Sequence, residues 1–253
     1  MRRLLTILAL ATQLHASLNF TAITDRVEYG TSGTLTLDPM TVMVWLYSPG
    51  DTVSDCIVCK GRSLNNNRRP QFLQENSDAL SVIVDRATTD TSYLTSTSIT
   101  LNTWQFVAFT FDSAASAGEV VNIYGGSLTA APTEFAYTTS TDGSGAVNAS
   151  AESFVVGNNP PANSGYEGRI GFVHVVNTKL TQEQITAQWI RPRVIVGSVL
   201  YSHLNRTGTV ANLAGTVLNG TVTGATVADH VPLGPWFGFD WRDYTRRLLG
   251  LYA

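Results

Sequence analysis

Two cysteines stand three apart in Cys56-Ile-Val-Cys59. Thiolates at this spacing serve as half of a zinc site or as a redox pair, but zinc needs a second ligand pair and the redox motif needs a strand running into a helix. Neither accompanies the cysteines. Asp55 to Lys60 reads as a strand, where positions three apart point to opposite faces, so the expectation is two free cysteines packed as small buried residues. The glutamates are Glu28, Glu75, Glu119, Glu134, Glu152, Glu167 and Glu183. Glycoside hydrolysis needs two carboxylates flanking one bond, and no two of these glutamates share the short alternate spacing that would put them on one strand face. His15, His174, His203 and His230 are isolated, and the chain has no nucleophile elbow, zincin motif, P-loop or dinucleotide fingerprint. His174 alternates within an apolar run and reads as a satisfied, half-buried histidine. No catalysis is expected.

The elements that carry these residues are strands. Short apolar runs at Leu35-Thr-Leu, Thr41 to Tyr47, Leu80 to Val84, Trp104 to Phe111, Val120 to Tyr124, Phe154 to Gly157 and Ile170 to Val176 are separated by Pro49-Gly50, Gly125-Gly126, Asp142-Gly143 and Asn158-Asn-Pro-Pro161. Those separators are turn residues with a backbone reason, and regular strands without intervening helices point to a sandwich or barrel. Leu180 to Ile190 is the exception and reads as a helix. Thr181 with Gln184 approximates a capping box, Pro192 ends it, and Ile185 and Trp189 share a face expected to plug one end of the sandwich.

Composition agrees with this reading. The chain has 253 residues, 43% of them hydrophobic and only 14% charged, with a formal net charge of -3. It is long enough for a sizeable core, and no overall positive field draws it to nucleic acid. Thr and Val, stiff at χ1, suit pleated surfaces, and the polar faces are built from hydroxyls more than from charges. Nearly all basic residues are Arg, Lys60 and Lys179 apart, which fits contact surfaces. Arg62, Arg68 and Arg69 flank Asn65-Asn-Asn67 in a segment read as a solvated loop, with a contact site as the alternative.

The two ends differ from the body. Met1 to Ala16 has a basic start, an apolar run from Leu4 to Ala11 and a small residue at Ala16, the outline of a secretory signal. The run is too short to span a bilayer, and the alternative is a retained arm. At the other end Trp236, Phe237, Phe239, Trp241 and Tyr244, with Arg246 and Arg247, form an aromatic tail at 232–253 that must be covered. It folds back on its own domain or docks on a neighbouring subunit, for which these residue types are the usual anchors.

Several pieces, in order, carry a family resemblance. Leu18-Asn-Phe-Thr-Ala-Ile-Thr-Asp-Arg-Val-Glu-Tyr29, Met40-Thr-Val-Met-Val-Trp45, Leu101-Asn-Thr-Trp-Gln-Phe-Val-Ala-Phe-Thr-Phe-Asp112, Val121-Asn-Ile-Tyr-Gly-Gly126 and Tyr166 to Val175 followed by Lys179 to Ile185 resemble the laminin-G-like (LamG) jelly-roll branch of the concanavalin A-like lectin and glucanase superfamily. The match covers about residues 17 to 190. It implies an all-β, two-sheet antiparallel jelly-roll sandwich with one short helix. Residues 194–231 are expected to add a pair of strands to a sandwich spanning 17–231. Lectin-like members hold Ca²⁺ or sugar at the sandwich rim with Asp, Asn and carbonyl oxygens. That implies Asp25, Asn158, Asn159 and Asn163 as loop ligands and Tyr166 as a sugar-stacking ring, against the plainer reading that all are turn residues. The enzymatic branch's paired carboxylates are missing. Domains of this resemblance occur in phage virion proteins, so the leading expectation is a non-enzymatic capsid-decoration or fibre-type attachment protein. Such a protein would contact capsid subunits or copies of itself, and surface glycans. A secreted carbohydrate-binding lectin is the alternative.

Overall fold

The computed structural model describes residues 16–31, 33–50, 53–61, 67–215 and 218–229. The aromatic tail and nearly all of the N-terminal segment, with every docking residue named from Trp236 to Arg247, lie outside them. In chain order the elements are β1 (Ala16–Phe20), β2 (Arg26–Glu28), β3 (Met40–Tyr47), β4 (Asp55–Lys60), β5 (Gln71–Gln74), β6 (Ala79–Val84), β7 (Thr91–Ser98), β8 (Trp104–Phe111) and β9 (Val121–Ser127). There follow β10 (Thr133–Glu134), β11 (Tyr137–Thr141), β12 (Phe154–Val156), β13 (Gly168–Val176), the helix α1 (Gln182–Ile190), β14 (Ser198–His203), β15 (Thr209–Val210), β16 (Gly220–Thr223) and β17 (Thr226–Asp229). They form two antiparallel sheets stacked as a sandwich. The first runs β10-β9-β8-β3-β13-β1-β17 with β14 also on β13, and the second runs β11-β7-β6-β5-β4-β12-β2-β16-β15.

Strand alternation builds the core between them. Leu18, Phe20, Val42, Val44, Val107, Phe109 and Ile170 from the first sheet meet Val27, Ile57, Phe72, Val82, Phe154 and Val156 from the second, all buried. The first sheet has a second apolar layer on its outer side, where Met43, Trp45, Phe106, Tyr124 and Phe172 pack under Leu180 and Ile185. The helix therefore lies across the outer face of a sheet rather than plugging an end. A strand with large side chains on both faces needs a cover on each, and Trp189, whose indole Nε1 donates to the Ser127 carbonyl at 2.9 Å, fixes the cover in place. The capping box is present, with Thr181 and Gln184 bonded reciprocally. Thr181→Ala is expected to cost about 1 kcal/mol in urea denaturation, and an unchanged midpoint would show that the helix is held by its apolar face alone.

Other expectations are corrected. Leu35-Thr-Leu is no strand: Gly33–Leu35 is a 3-10 turn with Leu35 in the core. Cys56 and Cys59 are joined in a disulfide, Cα atoms 6.1 Å apart. The alternation rule fails there because the β4–β5 register shifts between Cys56 and Val58, a bulge. The extra residue puts both Ile57 and Val58 in the core and returns Cys59 to the face of Cys56, where both pack against Leu73 on the outside of the second sheet. The segment 198–229 is also more than an added pair. β14 and β17 extend the first sheet, while β15 and β16 extend the second.

His174 is fully buried rather than half-buried, and only one ring nitrogen is satisfied. Nε2 shares a hydrogen bond with Ser198 Oγ at 2.8 Å, Tyr201 packs edge-to-face at 4.9 Å, and Nδ1 has no partner. Burial pushes its pKa down to about 4, and that of His203 down as well. The unfolded chain binds the proton first, near pH 6.5, so this stabilising contribution is complete above about pH 6.5 and is lost as pH falls toward 4. Wild-type protein is expected to lose about 2 kcal/mol of unfolding free energy between pH 7.5 and about pH 5, and His174→Gln clearly less. Equal losses in urea titrations would remove His174 from the account.

Candidate functional site

Four adjacent strands of the first sheet put Asn19, Arg169, Tyr47 and Trp104 in one cross-strand row: Asn19 pairs with Arg169, Arg169 with Tyr47, and Tyr47 with Trp104. The residues beside them, Leu18, Phe20, Leu46 and Ile170, enter the core, so the row faces outward. It begins where the helix-covered layer ends, and Tyr47 packs partly against that layer. Trp104 meets the Tyr47 ring edge-on at 5.9 Å and the Arg169 guanidinium carbon lies 5.2 Å over it. A pocket of about 240 Å³ opens here, lined by Asn19, Thr21, Tyr47, Pro49, Glu167 and Arg169 among others.

The chain is held tightly around this pocket. Gly168 enters β13 at φ +143°, and a Cβ there would sit 2.4 Å from the Tyr47 carbonyl oxygen, so no other residue fits. Glu167 and Arg169, two apart, consequently both line the pocket. The Glu167 amide donates to Asp55 Oδ2 at 3.3 Å, and the Tyr166 hydroxyl donates to the Tyr47 carbonyl at 3.2 Å. Arg169 makes no ion pair with Glu167 or any other described carboxylate. The pocket thus combines an aromatic ring carrying a guanidinium on its face, an acceptor carboxylate and an amide, a set suited to a polyhydroxylated ligand.

The expected loop ligands come together at a neighbouring corner, where they bind one another. Asp25 Oδ2 accepts the Thr21 and Ala22 amides at 2.8 and 3.0 Å. Asn158 is fully buried. Its Nδ2 donates to the carbonyls of Ile23 and Asp25, at 2.7 and 3.1 Å, and its Oδ1 accepts the Asn159 and Ser164 amides, at 2.8 and 3.2 Å. Asn159 Oδ1 accepts the Asn163 amide at 3.1 Å. These side chains tie the 21–25 turn to the 157–164 loop. Tyr166 is 1% exposed, so its ring offers no stacking face, and it acts here through its hydroxyl on the Tyr47 strand. No group of three or more His, Cys, Asp or Glu among the described residues is arranged to hold a metal ion.

Of the scattered glutamates, Glu119 and Glu134 do converge in space, which the sequence hid. Both accept from Asn122 Nδ2, at 3.4 and 2.9 Å, and the Tyr137 hydroxyl donates to Glu134 at 2.7 Å. They lie around β9 and β10, away from the pocket, which one carboxylate lines. The sequence reading missed Tyr47, Arg169 and Asn19. Outward parity at Tyr47 and the alternate pair Glu167 and Arg169 around a glycine were the signals available.

The fold is a concanavalin A-like jelly roll. A family model, Laminin_G_3 of the concanavalin A-like lectin/glucanases superfamily, matches residues 21–186, and the chain belongs to that family. No curated protein matches the sequence. Among solved structures the chain is similar to a candidate carbohydrate-binding protein from Bacteroides ovatus, with TM-score 0.62 and 16% identity, over 87% of this chain and 62% of that one. It therefore spans less than two thirds of that relative. It is also similar to a heptameric SAP-like pentraxin from Limulus polyphemus, with TM-score 0.54 and 10% identity, over 87% of this chain and 97% of that one.

Proposed function

We propose that the protein is a non-enzymatic carbohydrate-binding module that docks a saccharide in the Tyr47 pocket. One observation carries the reading: an aromatic ring in a rim pocket is surrounded by Asn19, Glu167 and Arg169, polar side chains that make no ion pair among the described residues. Sugars present apolar ring faces to aromatics and hydroxyls to such polar groups. The family and the carbohydrate-binding description of the Bacteroides ovatus relative support the same class. A single carboxylate lines the pocket, whereas hydrolysis of a glycosidic bond takes two, which argues for binding without turnover. Probing a glycan array with the full chain is expected to give retained saccharides that Tyr47→Ala no longer retains. Retention unchanged by Tyr47→Ala would move the site elsewhere, and release of reducing sugar from a retained glycan would make the protein an enzyme.

The attachment role on a virion or comparable assembly is a second reading, favoured by one feature. Ala16 pairs with Asp229, so the first described residue after the apolar N-terminal sequence and the last described residue before the aromatic C-terminal sequence lie side by side on the first sheet's edge. Two apolar segments rooted together suit anchorage to capsid subunits or further copies. Light scattering on the purified full chain is expected to report an oligomer, and a stable monomer with a protease-resistant tail would contradict it. A mature N-terminus at Ser17 by mass spectrometry would favour the secreted lectin instead.

A further inference from the structure

Resting on the saccharide reading, we propose that the Tyr47 pocket selects a sugar acid, a single unit that carries a carboxylate beside its hydroxyls. Two charged side chains at the pocket, Arg169 and Glu167, have no ion-pair partner among the described residues. Arg169 is half-buried, one face of its guanidinium is taken by the Tyr47 ring at 5.2 Å, and it makes no ion pair with a carboxylate among the described residues. Desolvating a guanidinium without pairing it is costly, and its planar fork fits a carboxylate with two parallel hydrogen bonds. The Asn19 amide stands beside it on the paired strand position and adds a donor to the same side. Glu167 lies on the same rim, two residues away, yet makes no ion pair with Arg169. Its amide is tied to Asp55 and the following Gly168 is wedged against the Tyr47 backbone, which fixes the main chain that carries both side chains.

The pocket consequently offers donors, from Arg169 and Asn19, together with an acceptor, from Glu167. A neutral sugar serves Glu167 with its hydroxyls but offers Arg169 only weak acceptors. A simple anion serves Arg169 and meets repulsion from Glu167. A sugar acid meets both, with its carboxylate on Arg169 and its hydroxyls donating to Glu167. The volume of about 240 Å³ is of the order of one sugar ring.

The test is an array of matched acidic and neutral glycans, followed by calorimetric titration of the full chain with the strongest acidic binder and its neutral counterpart. Arg169→Met is expected to weaken the acidic ligand about 10- to 100-fold while changing the neutral one little, as loss of a charge-assisted bidentate pair requires. Arg169→Lys, which keeps the charge and loses the fork, is expected to fall between, and raised salt is expected to weaken the acidic ligand more than the neutral one. An unchanged melting temperature for both variants separates lost binding from lost fold. Preference for neutral glycans, or acidic binding that survives Arg169→Met within twofold, would overturn the sugar-acid inference and leave the saccharide reading standing. Absence of any retained glycan would instead remove the saccharide reading beneath it.

Discussion

Replacing Asp85 by alanine is expected to destabilise the fold by about 3–5 kcal/mol, the range for removing one partner of a buried ion pair. Asp85 is fully buried at the end of β6. Its Oδ2 accepts the Arg68 backbone amide at 2.8 Å and its Oδ1 the Arg68 Nε at 2.5 Å. Its own backbone also receives Asn148 and donates to the Arg68 carbonyl. Arg68 retains Asp90, at 3.0 Å, but that carboxylate is 40% exposed and cannot replace a dry partner. Removing the Asp85 side chain leaves a mostly buried guanidinium uncompensated and the Arg68 backbone amide without its acceptor. Asp85→Asn keeps one acceptor and should cost less. Urea titrations that place the alanine variant within 1 kcal/mol of wild type would show that water already screens this pair.

Gly157→Ala is expected to cost about 3 kcal/mol and to lower the melting temperature by roughly 6–12 °C for a chain of this size. The position combines two obstacles. Its φ of +76° is strained for any residue with a Cβ, and that Cβ would lie 2.3 Å from the buried ring of Phe20. Phe20 closes the core end of β1, directly after Asn19, while Gly157 opens the loop that Asn158 ties to the 21–25 turn. The substitution should therefore loosen the rim as well as the core. Amide exchange is expected to rise across residues 157–168, and an unchanged melting temperature would mean that Phe20 moves aside freely.

How much of this was readable beforehand depends on parity. Trp104 to Phe111 and Ile170 to Val176 declare themselves as nearly continuous apolar runs bounded by turn residues, and the helix declares itself through Thr181, Gln184 and Pro192. Strands such as β7, with Thr91-Ser-Tyr-Leu-Thr-Ser-Thr-Ser98, carry hydroxyls on the outer face and few apolar residues, so they merge with their turns in the sequence. The bulge in β4 is a one-residue event that inverts parity, and nothing in Cys-Ile-Val-Cys announces it. The disulfide was hidden for that reason. The site was half legible. The asparagine-rich segment and Asp25 meet at one corner, where their side chains fasten turns. The Tyr47 pocket is assembled by register between β1, β13 and β3, strands separated by up to about 150 residues, and register is not written locally.

The most direct test of the central claim is a ¹H–¹⁵N NMR titration of the full chain with a glycan retained on the array. Shifts concentrated at the amides of Asn19, Tyr47 and Glu167 to Arg169, saturating with the calorimetric affinity, are the predicted result. Shifts confined to residues 158–164, or to the outer face of the second sheet around Leu73, would contradict it.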